Sequence, residues 1–572
     1  MYILTAQDKT RTEDMTKSNY CRVLSMVAVT LLPTFLVAKD TIIPEKGLDE
    51  KINDWFQPIA DWWESMILYA VPFTDTISIP IVLILLVGGA AFFTIRFSFV
   101  NITKFGLSIR VVRGQYDYLD KHGLVMGAEE QVNVVEGDIV QTVRDEAQIG
   151  EVNHFQALSA AVSGTVGLGN IAGVAVAIAI GGPGATFWMI LCGLLGMSTK
   201  FVECTLGVMY RDIDKKGTVY GGPMYYLKKG LAEKNLKGLG KILALLFAIL
   251  IVGASFGGGN AFQANQSTAQ IISMLGITGG ASGFWVGLVL AFFTGLVIIG
   301  GIKRIANVAE KIVPFMAILY ILASLVIIFY HFNYIDDAIG MICSEAFSPR
   351  AGLGGIAGVV IAGFRRAAFS NEAGAGSASI AHSAVRTVYP ASEGLVALLE
   401  PFIDTVVICT MTAIVIILFN QDNVFTYGGD ASGHVLMHAT GQSVSGVDLT
   451  TMAYESVIPH FSYVLTIAIV LFAFSTMISW SYYGMQGWKY LFGRSKISDL
   501  SYKLLFLVFI IIGSSATLDA VIKFSDAMIL ALVFPNMIGL LLLFPKVRQE
   551  FNRYLKAIRE KVKPSTENDS RT

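Results

Sequence analysis

The sequence predicts an all-α polytopic membrane protein with eleven transmembrane helices, ten of them forming an inverted 5+5 repeat behind one preceding helix. Three observations lead there. Of 572 residues, 54% are hydrophobic and 15% charged, with a mean hydropathy of +0.61, a balance too apolar for a chain dissolved in water. Eleven apolar stretches reach the length that crosses a bilayer. Two of these are interrupted at mid-span by glycines and polar side chains.

The charge balance excludes some partners. Lys+Arg 42 against Asp+Glu 43 leaves a formal net charge of −1, so the sequence offers no basic field for nucleic acid. Cys21, Cys192, Cys204, Cys343 and Cys409 are scattered without a C-x-x-C pair, which points to inert thiols rather than a metal cage or disulfide framework. His434 and His438 have metal-ligand spacing, but they lie in a polar, glycine-rich loop with no third ligand in view.

Taken in order, Lys9, Arg11, Lys17 and Arg22 precede an apolar run from Val23 to Val37 that ends at Ala38. This pattern reads as a signal-like or anchor segment, 1–38. Residues 39–77 carry Trp55, Trp62 and Trp63 among polar neighbours and read as an external amphipathic segment, lying in the membrane interface or packed on the protein's own outer face. The spans centre on 78–98, 155–180, 184–209, 241–273, 283–301, 311–330, 354–384, 395–419, 462–487, 502–518 and 523–545. Runs of this length satisfy their own amides in lipid only as helices.

Orientation follows from Lys and Arg. Lys104, Arg110 and Arg113 follow the first span, Arg211 to Lys237 hold seven more, and Lys303, Arg304, Lys311, Arg386, Lys489, Arg494, Lys496, Lys546 and Arg548 continue on alternate loops. The intervening loops are nearly devoid of them, with none from Ile180 to Ala185, from Ile271 to Ile302 or from Asn420 to Tyr463. The basic loops and C-terminus are therefore cytoplasmic, as expected for the inner membrane of a cell. The resulting division is 78–98 for the preceding helix, 99–153 for a cytoplasmic insert, 154–330 and 331–545 for the two five-helix repeats, and 546–572 for a cytoplasmic tail.

The two interrupted spans carry the functional reading. Ser163 to Gly173 places four glycines with Thr165 and Asn170 at mid-span, and Phe369 to Ser377 places Ser370, Asn371 and Glu372 at similar depth. Each glycine costs a helix about 1 kcal/mol relative to alanine, and polar groups in lipid are costly unless they serve a site. Each interruption opens a half of five helices, an odd number, so the halves face opposite ways. Discontinuous helices of this kind meet near the midplane and bind cargo with freed amides and carbonyls. Simple close packing suffices for Gly253, Gly257, Gly300 and Gly301. Gly167-Leu168-Gly169 lacks the preceding strand that a dinucleotide loop requires.

Further residues place the chain near a known family. Gly181-Gly182-Pro183-Gly184-Ala185-Thr186-Phe187-Trp188-Met189 is similar to the signature of the alanine or glycine:cation symporters, with Ile190 standing where a second tryptophan is usual. Tyr220-Gly221-Gly222-Pro223-Met224-Tyr225-Tyr226, Phe472 to Thr476, Trp480 to Gly484 and both interruptions also resemble that family, and the likeness runs from about Asp54 to Phe544. The resemblance implies a leucine-transporter-like fold and symport of alanine, glycine or a similar small neutral amino acid, usually with Na+.

A zwitterion needs opposite charges met a few ångströms apart. Half-helix N-termini suit its carboxylate, which is expected against the amides around Gly169, Asn170 and Ile171. Its ammonium should face carbonyls at Thr165, Val166, Gly167 and the break at Ser370, Asn371 and Ala373. Asn260, Gln263 and Asn265 supply amides, with Asn265 preferred. The resemblance places Trp480 beside the cargo as a limit on side-chain size. Neutral oxygens at Thr165, Gly167, Ser475, Thr476 and Ser479 suit Na+ as the coupling ion, whereas Glu372 is expected either to pair with Arg365 or Arg366 or to carry a proton. Glu203, Glu400 and Asp404 are expected near cytoplasmic ends, paired with bases or lining an inner gate.

Proton-coupled transport is the runner-up reading and a cation channel a further one, although a single chain with one pair of interruptions lacks the repeated lining of a channel. An enzyme is not expected: no metal cluster or Ser/Lys dyad appears at span depth, and no phosphate-binding G-x-x-x-x-G-K-[ST] loop exists.

Overall fold

Helices dominate because apolar, β-turn-poor runs must satisfy their amides internally. The computed structural model describes residues 46–72, 78–120, 133–135, 138–140, 150–214, 217–299, 301–348 and 356–562. The signal-like segment 1–38 lies outside these residues, as does most of the insert's 121–149 stretch. From Gly47 onwards the chain forms one unit.

The elements that matter are α1 (Leu48–Ile67), α2 (Ile81–Arg96), α3 (His154–Thr165), α4 (Gly169–Gly181), α5 (Gly184–Met209) and α6 (Pro223–Glu233), then α7 (Lys237–Leu275), α8 (Ser282–Ile298) and α9 (Arg304–Tyr330). They continue with α10 (Ile356–Asn371), α11 (Ala378–His382), α12 (Pro390–Phe419), α13 (Phe461–Phe492), α14 (Lys496–Ser515) and α15 (Leu518–Glu560). Among the described residues seven helices are long and apolar enough to cross a membrane, and α3 with α4 makes an eighth when taken as one bent span. The apolar helices α2 and α8 are shorter. Four two-stranded antiparallel hairpins decorate the ends, among them Ala70–Pro72 paired with Ser78–Pro80 and Asp212–Ile213 paired with Val219–Tyr220. The chain is thus a multi-pass membrane protein.

Packing explains the conspicuous motifs. In Gly181-Gly182-Pro183-Gly184, Gly182 closes α4 at φ 66°. A Cβ on Gly184 would press on the backbone of Glu345 and Ala346, and Trp188 Nε1 donates to Ala346 O at 2.8 Å. The motif therefore seats α5 tightly under a neighbouring chain end. In Tyr220 to Tyr226, Gly222 has φ 101° and Pro223 opens α6 as its first helical residue, where its missing N–H costs nothing. Tyr226 Oη then donates to Asn536 on α15.

The segment that carries Trp55, Trp62 and Trp63 packs on the protein. Along α1, Asp49 accepts from the amides of Gly283 and Phe284, Asn53 accepts from Thr517, Gln57 donates to Asp519, Asp61 pairs with Lys523 and Glu64 with Arg365. These positions recur every three or four residues, so one polar stripe binds α1 to the starts of α8 and α15 and to the middle of α10.

Candidate functional site

Both interrupted spans come undone where glycine and polar residues accumulate. Asn153 caps α3 through a reciprocal pair with Gln156, which stabilises the start by roughly 1 kcal/mol. The helix runs to Thr165; Val166 is extended, and the chain resumes as a wide π turn over Gly169–Gly173. The axes of α3 and α4 differ by 52°. In the second span α10 ends at Asn371, Glu372 adopts φ 55°, Gly374 and Gly376 follow at 99° and 83°, and α11 begins at Ala378.

The two breaks meet. Asn170 Nδ2 donates to Asp404 Oδ1 at 2.6 Å and lies 3.1 Å from Ser370 Oγ, while Ser370 Oγ donates to Asp404 Oδ2 at 2.7 Å. Trp480 Nε1 donates both to Gly164 O at 3.2 Å and to Glu372 Oε1 at 3.1 Å, so one indole N–H joins the first break to the second. Phe369 packs on Gly169 and stands edge-on to Phe262 at 5.0 Å.

Local bonds shape the first break. Gly167 N donates to Asn170 Oδ1 at 2.9 Å, Leu168 N to Gln263 Oε1 at 2.9 Å, and the amides of Asn170 and Ile171 close short turns onto Gly167 O and Leu168 O. Thr165 Oγ1 turns back to Ala161 O at 3.3 Å. Gln263 therefore reaches the break, whereas Asn265, preferred from sequence, donates to Gly513 O and Ala516 O on α14 and serves helix packing there. Asn260 likewise donates to Phe506 O. In the second break, Asn371 Oδ1 accepts from Ala373 N and its Nδ2 donates to Thr405 Oγ1, both at 3.0 Å.

The hydroxyls of α13 gather against α3. Ser163 Oγ donates to Ser475 O at 2.8 Å, and Ser479 Oγ donates to Ser163 Oγ at 2.9 Å. Thr476, 2% exposed, faces Gly167, and among the described residues its Oγ1 has no hydrogen-bond partner. A buried hydroxyl without a partner costs about 1–3 kcal/mol. Ser475 Oγ turns back to Phe472 O at 2.9 Å.

Three sequence expectations are corrected. Glu372 does not pair with Arg365 or Arg366: Arg365 binds Glu64 and Asp526 at 2.6 Å each, Arg366 binds Asp526, and Glu372 accepts from Ser377 and Trp480 instead. The left-handed turn at Glu372 aims its carboxylate at α13, away from the arginines two turns back. Asp404 belongs between the two breaks, because a π turn over Phe402–Cys409 rotates it towards Asn170 and Ser370. Glu203 makes no ion pair among the described residues and accepts from Gly374 N and Asn536 Nδ2, both at 2.8 Å.

Glu400 does pair with a base, Lys200 Nζ, at 3.0 Å in a fully buried bridge. Sequence reasoning missed what surrounds it: Glu393 accepts from His154 at the start of α3 and from His382 at the end of α11, joining the same-side halves of both broken spans. Acids inside apolar runs were the available signal. Arg211 binds the carbonyls of Ser383, Val385 and Thr387 beyond α11. Burial lowers its guanidinium to about 10 against the pull of Glu393 and Asp120, which leaves it charged at neutral pH. A cavity of about 310 Å³ starts at Ser481, one residue past Trp480, and runs beside Gln486 towards Lys489.

A profile described as "Sodium:alanine symporter family" matches residues 130–568. A relative described as a sodium/alanine symporter, from Methanococcus maripaludis, is 39% identical over 465 residues, 81% of this chain and 92% of its own length. A second, a putative sodium/proton-dependent alanine carrier protein of Bacillus subtilis, is 37% identical over 72% of this chain and 83% of its own. Among solved structures, MhsT in complex with L-phenylalanine covers 70% of this chain and 99% of its own at 16% identity and a TM-score of 0.44, a partial likeness.

Proposed function

Because this chain belongs to the sodium:alanine symporter family, we propose that it imports a small neutral amino acid, alanine or glycine, together with Na+ by alternating access. It is a transporter and not an enzyme. The observation that carries the reading is the meeting of the two breaks through Asn170, Ser370 and the shared N–H of Trp480. Peptide groups released there, at Thr165, Val166, Gly167, Gly169 and Asn170 and at Ser370, Asn371 and Ala373, would hold the zwitterion, with Gln263 shaping one wall and Trp480 another. Asn265 drops out of this set, since its amide is spent on α14.

The cation would lie beside α13. Thr476 Oγ1, Ser479 Oγ and the carbonyls near Thr165, Gly167 and Ser475 are neutral oxygens, which suit a hard monovalent ion. The lone Thr476 hydroxyl supports this assignment most directly. In the same proposal the apolar helices make eleven spans in a 5+5 inverted repeat, α2 precedes the repeat, the basic loops and C-terminus face the cytoplasm, and the cavity past Ser481 is the inner exit. Proton coupling is the second reading, kept open by the name of the Bacillus relative. Both are tested by labelled alanine uptake into proteoliposomes under an inward Na+ gradient or an inward proton gradient. Accumulation under Na+ alone is expected; accumulation under protons alone would replace the ion, and neither would remove the function.

A further inference from the structure

Glu372 is the residue that the break itself does not require. It takes φ 55°, a left-handed conformation that costs a non-glycine residue about 1 kcal/mol, although glycines stand two and four residues on. Its carboxylate is 3% exposed, and both oxygens are engaged: Oε2 accepts from Ser377 Oγ and Oε1 from Trp480 Nε1. Among the described residues no arginine shares it.

The other end of that bond is equally fixed. Trp480 is 1% exposed, and its N–H is shared between Glu372 and Gly164 O. Its indole lies on Gly259 in the π turn Gly257–Ala261, where any Cβ would overlap Trp480 Cβ and Cγ. Tyr483 backs it edge-on at 5.4 Å. The ring is thus wedged between both breaks and a glycine turn. The two bonds are comparable in length, 3.1 Å to Glu372 Oε1 and 3.2 Å to Gly164 O, and Glu372 is the side-chain anchor of the pair, the one a substitution can remove.

We infer that Glu372 is a positioning residue for cargo selection: its carboxylate fixes the Trp480 indole as the wall that limits side-chain size, and Gly259 leaves room for that wall. The inference rests on the proposed function, in which Trp480 borders the amino acid. Glu372 acts through Trp480 and touches neither the cargo nor a transported proton.

The test is sodium-driven alanine uptake in proteoliposomes, competed by glycine, 2-aminobutyrate, valine and leucine, for wild type, Glu372→Ala, Glu372→Gln, Trp480→Phe and the double variant Glu372→Ala with Trp480→Phe. Glu372→Ala should raise the apparent affinity for valine relative to alanine about tenfold, the scale of a few methylenes in a pocket. Glu372→Gln, whose amide oxygen still accepts from the indole, should stay within about twofold of wild type. Trp480→Phe removes the N–H and also the five-membered part of the wall, so it should relax selection at least as much as Glu372→Ala does, and adding Glu372→Ala to it should change nothing further. A wild-type size order in Glu372→Ala or Trp480→Phe overturns the inference, as does loss of selection in Glu372→Gln. Should Glu372→Ala fail to fold, Glu372→Met, which fills the space without an acceptor, takes its place: relaxed selection is expected, and a wild-type size order overturns the inference. Absence of sodium-driven uptake in wild type is a failure of the underlying function and is visible before any variant is compared.

Discussion

In the first break the backbone unwinds with no positive φ between Gly164 and Gly173, whereas in the second Glu372, Gly374 and Gly376 are all left-handed. The glycines of the first break serve close approach: a Cβ on Gly167 would lie 3.0 Å from Gln263 Oε1 and overlap Thr476 Oγ1, and one on Gly169 would press on Phe369. Those of the second serve conformation as well as space, since Gly376 also abuts Pro223 and Asn536. The same sequence signal therefore builds a contact surface in one span and a hinge in the other, and substitutions should separate the two.

The largest effect is expected at the contact surface. Gly167→Ala should cut sodium-driven alanine uptake per folded protein by about 100-fold, the cost of misplacing reacting or binding groups by about an ångström, along with a stability loss of roughly 1–3 kcal/mol from the overlap with Thr476 Oγ1. Wild-type uptake in this variant would show that Gly167 borders no site. Gly376→Ala should act on stability alone, lowering it by about 2 kcal/mol through left-handed strain and contact with Pro223 Cγ at 2.7 Å and leaving uptake per folded protein near wild type. Thermal unfolding of purified protein measures it, and a transport defect at unchanged stability would erase the distinction drawn between the breaks.

Smaller effects sharpen the first break. Thr476→Ala should raise the Na+ concentration for half-maximal uptake by about tenfold, the loss of one ligand oxygen, and leave the alanine dependence at saturating Na+ nearly unchanged. Unaltered sodium activation would remove Thr476 from the ion site. The smallest is Asn265→Ala, expected to change alanine affinity by less than about threefold and to act only through packing on α14. A loss comparable to that at Gly167 would return Asn265 to the cargo.

Much of this was legible in the residues. Mid-span glycines beside Asn170 and Asn371 marked both breaks, because a continuous lipid-facing helix has no use for them. Which amide faces the break was not legible: Gln263 and Asn265 lie two residues apart, and the π turn at Gly257–Ala261 shifts the register that decides between them. The same cause hid Asp404, which the π turn over Phe402–Cys409 turns inward. The pairing of Glu372 was misjudged because spacing to Arg365 and Arg366 says nothing of the left-handed turn that separates them. Long-range partners such as Glu64 for Arg365, 301 residues apart, follow only from tertiary packing.

The central claim is that cargo and cation share one seat where the two breaks meet, and linkage tests it directly. Alanine binding to the purified protein, measured at equilibrium across a Na+ titration, should tighten with Na+, and Na+ binding should tighten with alanine by the same factor; Gly167→Ala and Thr476→Ala should reduce that factor. An alanine affinity indifferent to Na+, or a factor untouched by both substitutions, would contradict a shared site at the breaks.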